Sequence, residues 1–358
     1  MKKLYVIAGE PSGDYLGAKI ISQINSLSKV KIFGVGGELM RQAGVDSLID
    51  IRQISIGGIL EVVPQIFKIK RLIDHVVADI LRTNPEALLT IDSPGFCFRI
   101  AKLVRKHNPN IKLVHLVAPS VWAWRKKRAQ KLAKLYDQLL TLFNFEPPYF
   151  QKYGLKTTFV GHVAIEEFKE NNAQKQDMLL ILPGSRKQEI QMLLPIFMQS
   201  LKYLNFERVI IPTLPHLEKL IKETTKGIDA EVISEEKQKI ELFRQAKCAI
   251  VASGTATLQL ALSGCPMVCC YRLSSLSYHI IKSMIKVKYI SLVNIILDYP
   301  VIPELIQDEC NAINIVKIIK NLDKNEQIAR FKHIRQHLQS GHIVPSQKIA
   351  EIILSILG

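Results

Sequence analysis

Several features are scarce in this chain. Its 358 residues contain six cysteines with no CxxC pair and no zinc-type spacing, which points to structural thiols in a reducing cytosol and sets metal binding and thiol catalysis aside. The dinucleotide fingerprint G-x-G-x-x-G is missing. Gly9-x-x-x-Gly13 stands in its place, and no acidic residue ends the second strand to hold a ribose, so a nicotinamide enzyme is disfavoured. Long apolar runs are missing too. The N-terminal Met-Lys-Lys-Leu-Tyr-Val-Ile-Ala is too short for a signal peptide, and Glu10 and Asp14 follow at once. Residues 248–271 carry no charge, but Ser253, Gly254, Thr255, Gly264 and Pro266 interrupt them, which suits strand, loop, helix, turn and strand better than a membrane span. Acidic residues are absent from 99–134, where eleven Lys or Arg occur, and the whole chain has a formal charge of +16. That segment points to an anionic partner: nucleic acid, a phospholipid surface or a phosphorylated substrate.

The length fits about two domains. Apolar strand-type runs recur, each ending in a small-residue turn that opens a helix, which indicates doubly wound parallel sheets with ligand-facing loops at the strands' carboxyl ends. In the first half the runs are Leu4–Ala8, Val30–Gly34, Ala87–Ile91, Lys112–Val117, Leu139–Leu142 and Thr158–Val160. In the second they are Leu179–Leu182, Arg208–Ile211, Ala230–Ile233, Ala249–Ala252 and Pro266–Tyr271. The polar stretch 165–177 reads as the linker. Domains are therefore expected at 1–165 and 166–358, with the C-terminal helices free to pack back on the first.

Three turns carry candidate chemistry. Leu182-Pro183-Gly184-Ser185-Arg186 runs from a strand into a helix, where free N–H groups bind anions. Arg186 is either a bidentate phosphate ligand or a surface charge. Ser253-Gly254-Thr255 opens a second helix of the same kind. Asp92-Ser93-Pro94-Gly95 places a carboxylate at a strand's carboxyl end, as a general base or as an ordinary N-cap or turn residue. Both tryptophans, Trp122 and Trp124, directly precede Arg125-Lys126-Lys127-Arg128. Such a segment can stack bases, sit at a membrane surface, or be a buried Trp beside a solvated basic face. Lys68, Lys70 and Arg71 lie among apolar residues, as in an interfacial helix or one packed on a sheet with a basic edge. Asn294 is a donor contact or a turn residue.

Taken in order, these motifs resemble the lipid-A-disaccharide synthase family, glycosyltransferases of the two-domain GT-B fold. The carriers are Ala-Gly-Glu-Pro-Ser-Gly-Asp (8–14), Gly-Val-Gly-Gly with Met40, Gly-Ile-Leu-Glu-Val (58–62), Ile-Asp-Ser-Pro-Gly-Phe (91–96), Ala-Pro-Ser-Val-Trp-Ala-Trp-Arg (118–125), Val-Gly-His (160–162), Leu-Pro-Gly-Ser-Arg with Glu189, Ser-Gly-Thr-Ala-Thr-Leu (253–258) and Ser-Leu-Val-Asn (291–294). The resemblance implies two Rossmann-like parallel-sheet domains facing across a cleft. It also implies an inverting transfer of 2,3-diacylglucosamine from UDP-2,3-diacylglucosamine to 2,3-diacylglucosamine 1-phosphate (lipid X). The products are a β-1′,6-linked disaccharide 1-phosphate and UDP.

By the same resemblance Asp92 is the base, Glu10 and Ser12 line the cleft, and Arg186 and Asn294 matter for activity. UDP is then expected on Gly184, Ser185, Arg186, Ser253, Gly254, Thr255, Gln259 and Asn294. The acceptor and membrane side carries Trp122, Trp124, Arg125, Lys68 and Arg71. The chain lacks an Asp-x-Asp motif, so neither a metal nor any other cofactor is expected. Two positions depart from the family's pattern: Gln259 stands where Glu is usual, and Gly95 where many members have a second Asp. Because both substrates carry acyl chains, the expected place is the cytoplasmic face of a Gram-negative-type inner membrane, bound peripherally to anionic lipid. A homodimer stays open. Rivals are another GT-B enzyme, such as a UDP-N-acetylglucosamine 2-epimerase, and a nucleic-acid-binding protein, the latter set aside.

Overall fold

Apolar runs bounded by glycine and proline fold as strands that pair in parallel, buried on both faces by helices. The computed structural model describes residues 1–49, 51, 62–124, 126–168, 173–274, 278 and 287–358, and for 62–66 and 236–237 only the backbone. Arg125 and residues 58–61 of the Gly-Ile-Leu-Glu-Val motif lie outside the described residues. The chain forms two compact units, Met1–Val163 with Gln339–Gly358, and Ala164–Leu338.

The first unit holds β1 (Lys3–Ala8), β2 (Lys31–Val35), β3 (Ala87–Ile91), β4 (Lys112–Leu116), β5 (Gln138–Thr141) and β6 (Lys156–Phe159). They lie in the order β2-β1-β3-β4-β5-β6, all parallel. Side chains alternate across the sheet as the strand period requires. Leu4 and Val6 pack under α1 (Pro11–Leu27), whose Leu16, Ile20 and Ile24 share that core. Tyr5 and Ile7 pack under α3 (Val62–Thr83) and α4 (Pro94–His107) through Ile73, Val76, Ile100 and Val104. The last helix, Pro345–Leu357, returns to this unit because Ile349, Ile353 and Leu357 form one apolar stripe, which joins the α1 core.

The Gly34–Gly37 turn after β2 has a specific internal occupant. Asp14, in the first turn of α1, accepts N–H bonds from Gly37 (2.7 Å), Leu39 (3.1 Å) and Met40 (3.1 Å), closing the start of α2 (Glu38–Gln42). A Cβ on Gly37 would stand 2.5 Å from Asp14 Oδ2, so only glycine fits there. This glycine loop is therefore a capped helix start whose amides face a carboxylate of the chain itself.

The second unit holds β7 (Gln176–Leu182), β8 (Arg208–Pro212), β9 (Glu231–Ile233), β10 (Ala246–Ala252), β11 (Met267–Tyr271) and β12 (Glu304–Ile306). Their order is β12-β11-β10-β7-β8-β9, again all parallel. Its core joins Leu179 and Ile181 of β7 to Ile190, Leu193 and Phe197 of α8 (Lys187–Leu201). β12 is a strand that the sequence pattern hides: three residues with a glutamate among them offer no alternation to read. Residues 248–271 fold as most of β10, α11 (Thr255–Leu262) and β11. All six cysteines are buried and free.

Each sheet has one point where strand order reverses, between β1 and β3 in the first unit and between β7 and β10 in the second. In open parallel sheets such reversal points, at the carboxyl edge, are where ligands bind.

Asp14 is 5% exposed and serves three backbone donors. Asp14→Asn keeps one acceptor oxygen and sets an amide N–H₂ against N–H groups, so it should lower unfolding stability by about 1–3 kcal/mol. Urea unfolding reads this directly; an unchanged midpoint would show that the cap contributes nothing.

Candidate active site

The reversal point of the first unit gathers Glu10, Ser12 and Asp92. β1 ends at Ala8, and Gly9 and Glu10 lead into Pro11 at the first position of α1. β3 ends at Ile91, and Asp92 and Ser93 lead into Pro94 of α4. Proline suits both starts because a first-turn N–H has no helical acceptor. Asp92 (φ 50°) and Ser93 (φ 46°) are consecutive non-glycine residues in the left-handed region. Each such residue costs on the order of 1–3 kcal/mol and persists only where its surroundings impose it. Here the neighbouring strand does so: Asp92 N–H donates to Leu116 O at 3.0 Å. Val117, directly after β4, is a third case (φ 76°), tied by its N–H to Leu140 O at 3.1 Å.

The helix N-cap is Ser93, which makes no side-chain cap, so Asp92 lies one residue before the cap position. Its carboxyl is half-buried and pushed above the ordinary aspartate value, first by loss of water and then by the charge of Glu10. Ser93 Oγ reaches Glu10 Oε1 at 3.4 Å, joining the two loops. Glu10 and Ser12 are both exposed. A half-desolvated carboxylate of raised basicity beside accessible polar groups is equipped to accept a proton.

Beside it, the carboxyl edge of β4–β6 carries Glu146, a residue with no signal in the sequence pattern, together with Trp122 and Trp124. Glu146 is 3% exposed, accepting N–H bonds from Phe143 (3.2 Å) and Trp122 Nε1 (3.4 Å). Burial outweighs these bonds and pushes its carboxyl up to about 8. Trp122 is half-buried against Phe145. Trp124 lies near Arg128, whose guanidinium stands 5.9 Å from the ring centre. On α3, Lys68 and Arg71 are exposed, and Phe67, directly before Lys68, is 77% exposed. Arg105, counted in the basic run, is spent inside the fold on Asp137 (2.6 Å) and Leu135 O.

At the second unit's reversal point the two turns differ. Gly184 adopts φ +111°, and a Cβ there would meet Glu189 Oε2 at 2.5 Å. Glu189 accepts the N–H groups of Ser185 (3.2 Å) and Arg186 (3.3 Å) and pairs with Arg186 Nη1 at 3.0 Å. The expectation of bare amides at 184–186 is thereby corrected for Ser185 and Arg186: a carboxylate on the first turn of α8 already caps both. The Arg186 side chain remains 81% exposed. α11, by contrast, starts with no side-chain cap, and Gly254 and Thr255 are exposed. Gln259, half-buried, lies one turn along the same helix face as Thr255.

Asn294 is also corrected. It is fully buried, and its amide is committed internally: Oδ1 accepts from Ile302 N at 2.8 Å, and Nδ2 donates to Ile302 O (2.8 Å) and Glu304 Oε1 (2.9 Å). Glu304 also accepts from Ile290 N and Ser291 N, each at 2.9 Å. Ile290 O in turn accepts from Ser253 Oγ at 2.8 Å. Asn294 thus reaches the 253–255 turn through Glu304 and the 290–291 backbone. Glu304 had only one faint sequence signal, an acidic residue in an otherwise apolar stretch.

The comparisons agree with this geometry. The family model described as lipid-A-disaccharide synthetase matches residues 4–356. A lipid-A-disaccharide synthase of Rickettsia bellii is 39% identical over 376 residues, covering 99% of this chain and 98% of the relative. One of Rickettsia typhi is 38% identical over 367 residues, covering 98% and 94%. The solved structure of Methanocaldococcus jannaschii UDP-GlcNAc 2-epimerase, in complex with UDP-GlcNAc and UDP, is similar at a TM-score of 0.65 and 11% identity, with 99% of each chain covered. At that identity the likeness is one of fold, the paired Rossmann-like sheets of the GT-B class.

Glu146 generates a pH signature. Folded, it keeps its proton to about pH 8, whereas the unfolded carboxyl ionises near 4.5. Between those values the folded chain binds more protons, so this group's contribution to stability falls as pH rises. Glu146→Gln abolishes that fall. The stability of the variant relative to the parent should climb from about pH 4.5 and level off above about 8. His162, pushed down to about 4 by loss of water, is common to both proteins and cancels. A pH-independent difference in unfolding free energy would contradict the assignment.

Proposed function

The chain belongs to the lipid-A-disaccharide synthetase family and is a glycosyltransferase of lipid A disaccharide synthesis; from that premise we propose that it joins UDP-2,3-diacylglucosamine to 2,3-diacylglucosamine 1-phosphate with inversion. Asp92 accepts the proton of the acceptor 6-hydroxyl. The oxygen attacks the donor's anomeric carbon as the bond from that carbon to the diphosphate breaks, and UDP departs with the electron pair. The products are the β-1′,6-linked disaccharide 1-phosphate and UDP.

The observation that carries this reading is Asp92 itself: a strained backbone, a half-buried carboxyl and a raised affinity for protons at the strand-order reversal. Glu10 acts through Asp92, since its charge helps hold the base's pKa up. Ser12, exposed in the first turn of α1, contacts the acceptor in this reading.

In the second unit the uncapped start of α11, with Thr255 and Gly254 exposed, seats the diphosphate. Arg186 adds charge by exchanging its Glu189 partner for phosphate oxygens. Gln259 keeps one acceptor oxygen for a ribose hydroxyl, without the charge of the more usual Glu.

Among the described residues no helix is long and apolar enough to cross a membrane. The acyl substrates are met instead at an anionic lipid surface on the cytoplasmic face of the inner membrane. Phe67, Lys68 and Arg71 are the exposed contacts, each basic residue supplying about 1 kcal/mol near such a surface.

Asp92→Asn should abolish formation of disaccharide and UDP from the two lipid substrates while UDP still binds; near-parental turnover removes Asp92 from the role. Glu10→Gln withdraws a negative charge from beside the base. The acid limb of kcat/KM should therefore move to lower pH. An acid limb that stays in place would separate Glu10 from the titration of Asp92.

A further inference from the structure

The carboxyl edge of β4, β5 and β6 presents an aromatic surface that proton transfer at Asp92 does not use. Trp122, Phe143 and Phe145 are each half-buried. Trp122 meets Phe145 edge-on, with centroids 5.5 Å apart and planes at 83°. Phe143 stacks on Phe145 at 5.6 Å and 7°, and His162 lies 5.5 Å from Phe143. Three strands therefore contribute rings to one patch. Behind it stands Glu146, 3% exposed, held to the Phe143 N–H and the Trp122 indole N–H. A carboxyl placed there is costly to bury unless its bonds hold something in position.

Resting on the reaction proposed above, we propose that Trp122, Phe143 and Phe145 seat an acyl chain of the acceptor, and that Glu146 is a positioning residue that fixes the Trp122 ring for it. Distance separates this patch from the chemistry. Asp92 follows β3 and Phe143 follows β5, two strand spacings or roughly 10 Å away. A hydroxyl giving its proton to Asp92 must lie within about 3 Å of it. What reaches the rings is thus a substituent of the same acceptor, and the long substituents of that molecule are its acyl chains. Charge agrees with distance: Glu146, pushed up to about 8, and His162, pushed down to about 4, are both neutral near pH 7, so the backing of the patch suits hydrocarbon.

The test uses the full-length protein and two acceptors, lipid X and an analogue with acetyl-length chains. Trp122→Ala should lower the ratio of kcat/KM for lipid X to that for the short-chain acceptor by about fivefold or more, the scale of one aromatic contact. The loss should sit in the lipid X KM, not in the donor KM. Glu146→Leu, which leaves the indole N–H no acceptor, should move the same ratio in the same direction by less. Trp122→Phe, which keeps a ring but has no indole N–H, should combine with Glu146→Leu without adding to it, because the indole bond is lost in both. An unchanged ratio in Trp122→Ala overturns the acyl seat. An effect confined to Trp122→Ala, with Glu146→Leu at parental values or additive with Trp122→Phe, overturns the positioning role. Should Glu146→Leu fail to fold, Trp122→Phe decides alone: a lowered ratio supports positioning and a parental ratio overturns it. Absence of any transfer by the parental protein is a different result, which removes the reaction and the seat together.

Discussion

A parallel strand that turns directly into a helix must reverse direction within two or three residues, and at β3 the chain does this with Asp92 and Ser93 in the left-handed region. Neither residue is glycine, so the conformation is imposed from outside. The imposition comes from the bond of Asp92 N–H to Leu116 O, from Pro94 at the helix start, and from a core in which Ile91, Ile100 and Cys97 are fully buried. The consequence is chemical. A carboxyl that solvent would otherwise surround is held half out of water beside Glu10, and its affinity for protons rises.

The second unit shows how the same strand–turn–helix element serves different ends. Helix starts present unpaired N–H groups, and something must satisfy them. At α2 the acceptor is Asp14; at α8 it is Glu189; at the helix Leu292–Leu297 it is the Ser291 hydroxyl. At α11 no side chain takes the role. A glycine-rich or serine-rich turn therefore marks where an anion would fit, and the surrounding carboxylates decide whether the chain already supplies one. Arg186 couples the two situations, because its partner Glu189 is the carboxylate that closes the neighbouring amides.

Most of the architecture was legible in the sequence because burial repeats locally. Strands such as Ala87–Ile91 and Arg208–Pro212 show it as short apolar runs, and helices such as Pro94–His107 show it as apolar stripes. β12 escaped notice because three residues cannot display a period. In the candidate site, Asp92 stood out as a carboxylate in a turn at a strand end, whereas Glu10 and Ser12 were expected only through the family resemblance. The roles of Asn294 and Glu304 were not, since their meaning lies in bonds to Ile302, Ile290 and Ser291 that no periodicity announces. Glu146 escaped for the same reason: a Phe-Glu-Pro turn looks solvated until Trp122, 24 positions earlier, is seen to cover it.

The central claim is that the fold raises the proton affinity of Asp92 for use as a base. A carbon-13 NMR titration of the Asp92 carboxyl, assigned by comparison with Asp92→Asn, measures this directly. The account predicts a midpoint above the ordinary aspartate range that coincides with the acid limb of kcat/KM. A midpoint at or below the ordinary value, or an acid limb that does not follow it, would contradict the account.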